Sequence, residues 1–121
     1  MGANISTSQE AYRYRVIACH SSTEWRIHFE NSKVTTKLIV IDFSASWCAP
    51  CRYMEPIINQ FASDCKNVDF FKIDVEELND VAQEFGVQAT PTFVLMKQGK
   101  VVDKIVGAQK DELKDKIENH K

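Results

Sequence analysis

Two cysteines, Cys48 and Cys51, stand three positions apart in the stretch Phe43-Ser44-Ala45-Ser46-Trp47-Cys48-Ala49-Pro50-Cys51-Arg52. A pair at this spacing can be a redox centre, half of a metal site, or two buried thiols. Cys48 follows an apolar run and opens a helical pattern, so its sulfur would meet unpaired backbone N–H groups and the positive end of a helix dipole. Both favour a thiolate, and the thiolate is the nucleophile of disulfide exchange. Cys51 lies one turn on, on the same side of the helix, close enough to bridge to Cys48 but with its sulfur expected further inside. Pro50 suits the first helical turn, where its missing N–H is not needed. The chemistry this predicts is two successive exchanges. Cys48 captures a target disulfide, and Cys51 then displaces the reduced target.

A zinc site would need two further ligands at suitable spacing. Cys19, Cys65, His20, His28 and His120 supply the number, but none forms a second close pair, and no metal is expected. Two inert thiols fit the spacing alone, not the helix-start placement or the flanking Trp47 and Pro50. Cys19 and Cys65 read as small core residues or unreactive thiols. Asp42, six residues before Cys48, shares a strand face with Leu38 and Val40. It is either solvated at the strand end or buried below the cysteines. In the second case desolvation raises its pKa, and it could take the Cys51 proton. Lys72, in the run Phe71-Lys72-Ile73-Asp74, is either its partner or a surface lysine.

These groups need a scaffold, and 121 residues with 44% hydrophobic and 26% charged content suffice for one compact domain. The net charge of -2 and the absence of a basic block exclude a nucleic-acid footprint. No apolar run reaches the roughly 20 residues of a membrane span. The start of the chain lacks the apolar core of a secretory signal, so a reducing, cytoplasmic setting is expected, where cysteines serve chemistry more often than structural disulfides. Residues 1–12 read as an extension, and residues 13–121 as the domain. Met1-Gly2-Ala3-Asn4-Ile5-Ser6 fits the N-myristoylation pattern with Gly2 as acceptor. One such chain gives only marginal, reversible membrane association.

Along the domain, Tyr14–Cys19 reads as a strand, and Thr23 to about Thr36 as a helix with Trp25, Ile27 and Phe29 inward. Leu38–Phe43 is a branched apolar run, the mark of a strand covered on both faces. Cys48–Lys66 repeats apolar residues at helical spacing, with Pro56 inside. Val68–Val75 is a strand and Glu77–Phe85 a short helix ended near Gly86. Thr92–Lys97 and Val101–Val106 form a hairpin about Gln98-Gly99-Lys100, and Lys110–Asn119 is an amphipathic helix. The order β-α-β-α-β-α-β-β-α predicts an α/β fold, a mixed sheet with helices on both faces.

The sequence resembles the thioredoxins, and closely the plant h-type group, over about residues 14–120. Trp47-Cys48-Ala49-Pro50-Cys51 is similar to the family's WCGPC, and Ile41-Asp42-Phe43, Pro56, Ala89-Thr90-Pro91-Thr92-Phe93 and Val106-Gly107-Ala108 match as well. The resemblance implies a thioredoxin fold, a central five-stranded mixed β-sheet flanked by four α-helices in a single domain. It implies Cys48 as nucleophile, Cys51 as resolving cysteine, Asp42 as buried acid, and Lys72 as the lysine beside it. It implies a cis bond before Pro91, with the backbone at Thr90 pairing with the target peptide. Trp47, Ala49, Pro50 and Gly107 would complete a shallow docking surface. Ala49 stands where the family has glycine, and Ser44 where bacterial members have tryptophan. The implied function is reduction of disulfides in target proteins by a mostly monomeric protein without bound cofactor. Recharging by NADPH-dependent thioredoxin reductase is implied. Glutaredoxin or glutathione as donor, and a non-redox interaction module on the same fold, remain the alternatives. An oxidase or isomerase would be expected to carry histidine in place of Pro50.

Overall fold

The computed structural model describes residues 15–121. The expected boundary at residue 13, Tyr14 and Gly2 lie outside the described residues. Five strands, β1 (Ile17–Cys19), β2 (Leu38–Ser44), β3 (Val68–Asp74), β4 (Thr92–Lys97) and β5 (Lys100–Val106), form one sheet in the order β1-β3-β2-β4-β5. β1, β3 and β2 run parallel, while β4 is antiparallel to β2 and β5 to β4. Four helices are described, α1 (Ser22–Ser32), α2 (Ala49–Asp64), α3 (Asn79–Glu84) and α4 (Lys110–His120). The described residues thus form a single small domain with the expected mixed five-stranded sheet and four helices.

The central strand sets the core. All seven residues of β2 are buried, because strands flank it on both edges and helices cover it above and below. Its side chains alternate between the two faces. Ile39, Ile41 and Phe43 join Trp25, Phe71, Val81 and Val94 on the side of α1 and α3. Leu38 and Val40 join Met54, Ile58, Leu113 and Ile117 on the side of α2 and α4. Each such side chain, fully buried, contributes about 1.5–3 kcal/mol of hydrophobic stabilisation. The alternation puts Asp42 on the α2 side. α2 leaves the carboxyl end of β2 towards one face, and α3 leaves that of β3 towards the other. Ligands of open α/β sheets bind at such a divergence, and Cys48 lies just beyond it.

Several expected boundaries move for local reasons. β1 begins at Ile17, because only Ile17–Cys19 pair with β3. α1 stops at Ser32 rather than near Thr36. The Ser32 hydroxyl donates to the Phe29 carbonyl at 2.6 Å, and the chain leaves through i to i+3 turns at Lys33, Val34 and Thr35. Ile27 is 58% exposed, contrary to expectation. Trp25 and Phe29, four apart, share the buried side of α1, and a residue midway between them must point outward. α3 starts at Asn79, not Glu77, because Asp74 Oδ1 accepts the N–H groups of Glu76 and Glu77 and closes a turn first. The hairpin loop is Gln98-Gly99, both at positive φ (51° and 80°), so Lys100 belongs to β5.

Candidate redox site

Cys48 is the N-cap of α2. Its backbone is extended (φ -88°, ψ 111°), its carbonyl accepts the Arg52 N–H at 3.2 Å, and its Sγ accepts the Cys51 N–H at 3.2 Å. The first helical N–H groups have no partner inside the helix, so a sulfur placed here meets donors directly. Cys48 and Cys51 form a disulfide with their Cα atoms 5.2 Å apart. With the bridge closed both residues are buried, Cys48 at 4% exposure and Cys51 at 8%. Cys48 Sγ lies 3.5 Å from the Thr90 carbonyl oxygen.

Three segments distant in sequence meet around the bridge. Trp47 is 67% exposed at its edge, with Ala49 and Pro50 exposed beside it. The Thr90–Pro91 peptide bond is cis; Pro91 is buried and Thr90 half-buried. The Gly107 N–H donates to the Pro91 carbonyl at 2.8 Å, which ties the loop after β5 to the loop before β4. Gly107 has φ +93°, and a Cβ there would meet no atom within 4 Å. Together with exposed Val106 these residues give an open, shallow, partly apolar face around the disulfide.

Asp42 is buried beneath this face, and its Oδ1 has no hydrogen-bond partner. Burial pushes its carboxyl from 3.8 up to about 7, the Lys72 charge pulls against that, and the Glu55 charge adds to it. Lys72 pairs with Asp42 across β2 and β3, so the two side chains share a face. The Lys72 ammonium, however, bonds Glu55 Oε2 at 3.2 Å. Glu55 was not among the residues expected at the site. The signal for it was present: it lies four positions after Cys51, one turn along the same helix. Arg52 lies outside the expected set as well; its guanidinium donates to the Ser46 carbonyl at 3.0 Å and braces the loop that carries Trp47.

The remaining thiols lie apart from the bridge. Cys19 is buried on β1, and burial lifts its thiol to about 12. Cys65 is half-buried at the end of α2, with its thiol also raised chiefly by burial. Neither favours a thiolate near neutral pH. Among the described residues no group of three or more His, Cys, Asp or Glu side chains is placed to hold a metal. Among them, too, no helix is long and apolar enough to cross a membrane.

Comparison with known proteins bears on this geometry. The thioredoxin family model matches residues 16–119. The chain is 54% identical over 103 residues to thioredoxin H2 of Arabidopsis thaliana, covering 85% of this chain and 77% of that one. It is 47% identical over 120 residues to thioredoxin H-type 1 of Nicotiana tabacum, covering 99% and 94%. The crystal structure of the thioredoxin NaTrxh from Nicotiana alata superposes with a TM-score of 0.88 at 62% identity, covering 88% of this chain and 93% of that one.

Proposed function

This chain belongs to the thioredoxin family and is a thiol-disulfide oxidoreductase, and on that premise we propose how its residues divide the work. Cys48 is the attacking sulfur. The observation that carries this is its place at the N-cap of α2, where its Sγ accepts the Cys51 N–H. A hydrogen bond onto an ionised acceptor is worth about 1.5–3 kcal/mol, and the helix dipole adds about 0.3–1 kcal/mol. Both act on the thiolate and hardly on the thiol.

In the reduced protein the Cys48 thiolate attacks one sulfur of a target disulfide. The target S–S bond breaks, its second sulfur leaves as a thiolate that takes a proton from solvent, and a mixed disulfide remains. Asp42 accepts the Cys51 thiol proton, and the Cys51 thiolate attacks Cys48 Sγ. The mixed disulfide breaks, and the electron pair leaves on the remaining target sulfur, which is protonated in turn. Two electrons and two protons have passed to the target, and the Cys48–Cys51 bridge is closed. A carboxyl poised at about 7 suits this transfer, since it can hold or release the proton at neutral pH.

The backbone at Thr90 receives the extended target strand beside Cys48, and Trp47, Ala49, Pro50, Pro91 and Gly107 form the face on which it rests. Lys72 moderates Asp42. Reduction of the closed bridge falls to thioredoxin reductase, with NADPH as the source of electrons and no cofactor bound to this chain. A mostly monomeric protein in the cytoplasm fits this cycle. Gly2 is the proposed acceptor of a myristoyl group, which would add weak membrane association. An intact-mass measurement on protein from a eukaryotic host checks it.

The test is insulin-disulfide reduction driven by NADPH and thioredoxin reductase. Wild type turns over, Cys48→Ser shows no turnover, and Cys51→Ser accumulates the mixed disulfide through Cys48. Turnover by Cys48→Ser, or a mixed disulfide on Cys51 in its place, overturns the assignment.

A further inference from the structure

Two carboxylates compete for one ammonium beneath the redox bridge. Asp42 and Lys72 are partners across β2 and β3 on the face covered by α2. In that position an aspartate and a lysine would ordinarily pair. Instead the Lys72 ammonium reaches to Glu55 on α2 at 3.2 Å, while Asp42 Oδ1 stays without a hydrogen-bond partner. Glu55 is the more exposed carboxylate, with 57% of its side chain open to solvent, so it offers Lys72 a partner at much lower desolvation cost.

We propose that Glu55 is a positioning residue for the reaction: it draws the Lys72 ammonium to the mouth of the site and so keeps Asp42 able to take up and release a proton at neutral pH. The proposal rests on the reading of Asp42 as the acid that exchanges a proton with Cys51. The groups facing Asp42 make it specific. β3 contributes Lys72, α2 contributes Glu55, and β4 contributes Phe93, which carries no charge. Lys72 bonded to Asp42 would hold the carboxyl ionised, and an ionised Asp42 fixed in a salt bridge is a weaker base for Cys51. Glu55 opposes this in two ways. It occupies the ammonium, and its own negative charge disfavours a second one nearby. Its place on α2, one turn past Cys51, couples the ammonium's position to the helix that carries both sulfurs.

The test is E55Q, which keeps the side chain's length and removes its charge. Carboxyl ¹³C NMR follows Asp42 directly, independent of turnover, and insulin reduction is followed across pH 5–9. In E55Q the Asp42 midpoint should fall by about one pH unit, the lower end of the range for an opposite charge within a few ångströms. The acidic limb of the rate profile should fall with it. In a K72Q background the E55Q shift should shrink to less than half. Superimposed Asp42 titrations of wild type and E55Q overturn the proposal. An undiminished shift in the K72Q background overturns its route through Lys72. If D42N reduces insulin as fast as wild type at every pH, the reading of Asp42 fails by itself, whatever E55Q shows in the NMR titration. Glu55 is exposed, so E55Q folds, and a thermal melt at pH 5, where Asp42 is protonated in both folded proteins, verifies it by falling within 2–3 °C of wild type, about the shift of a sub-kcal/mol surface change.

Discussion

Replacing Asp42 by asparagine should stabilise the protein at neutral pH far more than at acid pH. Burial lifts the Asp42 carboxyl from 3.8 to about 7. Between those values the unfolded chain has released its proton and the folded chain still holds it. The folded state therefore binds more protons, and stability falls as pH rises through this window. Below it both states are neutral and the residue contributes nothing. Above it both are ionised, and the folded state bears the full cost of the buried charge. The window spans about three pH units at about 1.4 kcal/mol each, so the wild type should lose about 4 kcal/mol through this group by pH 8. Asparagine never ionises. Its amide adds unpaired buried donors at about 1–3 kcal/mol, but that offset does not vary with pH. Urea denaturation of the oxidised proteins from pH 4 to 8.5 measures the difference. The gap between D42N and wild type should open by about 1.4 kcal/mol per pH unit up to about pH 7 and then level off. A gap that stays constant across the range refutes a desolvated carboxyl at this position.

Two further substitutions test the face around the bridge. Trp47 is 67% exposed, so Trp47→Ala should change stability by less than about 0.5 kcal/mol, yet raise KM for insulin several-fold with a small change in kcat; an unaltered KM would remove Trp47 from the docking face. Gly107→Ala should cost about 1–2 kcal/mol in urea denaturation, because φ +93° strains any side chain even though the added methyl meets no neighbour. A variant as stable as wild type would show that the loop relaxes freely.

Much of the scaffold was legible because its causes are local. Leu38–Phe43, a short branched apolar run, reads as a strand covered on both sides, and the order of strands and helices follows from hydrophobic period and punctuation. The helix ends at Ser32 and Asn79 differ from expectation because single side chains capture backbone groups there, the Ser32 hydroxyl and the Asp74 carboxylate. Ile27 shows the limit of counting apolar residues without fixing which of them share a helical face.

The reactive feature is encoded locally: a cysteine at the start of a helix, a second one turn later, and a proline where no N–H is needed. Capping and helix geometry act over a few residues, so neighbours in the chain suffice to specify them. The remainder of the site exists only once the chain is folded. Folding brought the Thr90 carbonyl to Cys48 across 42 positions, and it tied Gly107 to Pro91. It buried Asp42, and it gave the Lys72 ammonium to Glu55. Desolvation and the choice between rival ion partners depend on what surrounds a group in space. That surrounding is assembled from segments whose sequence patterns carry no record of one another.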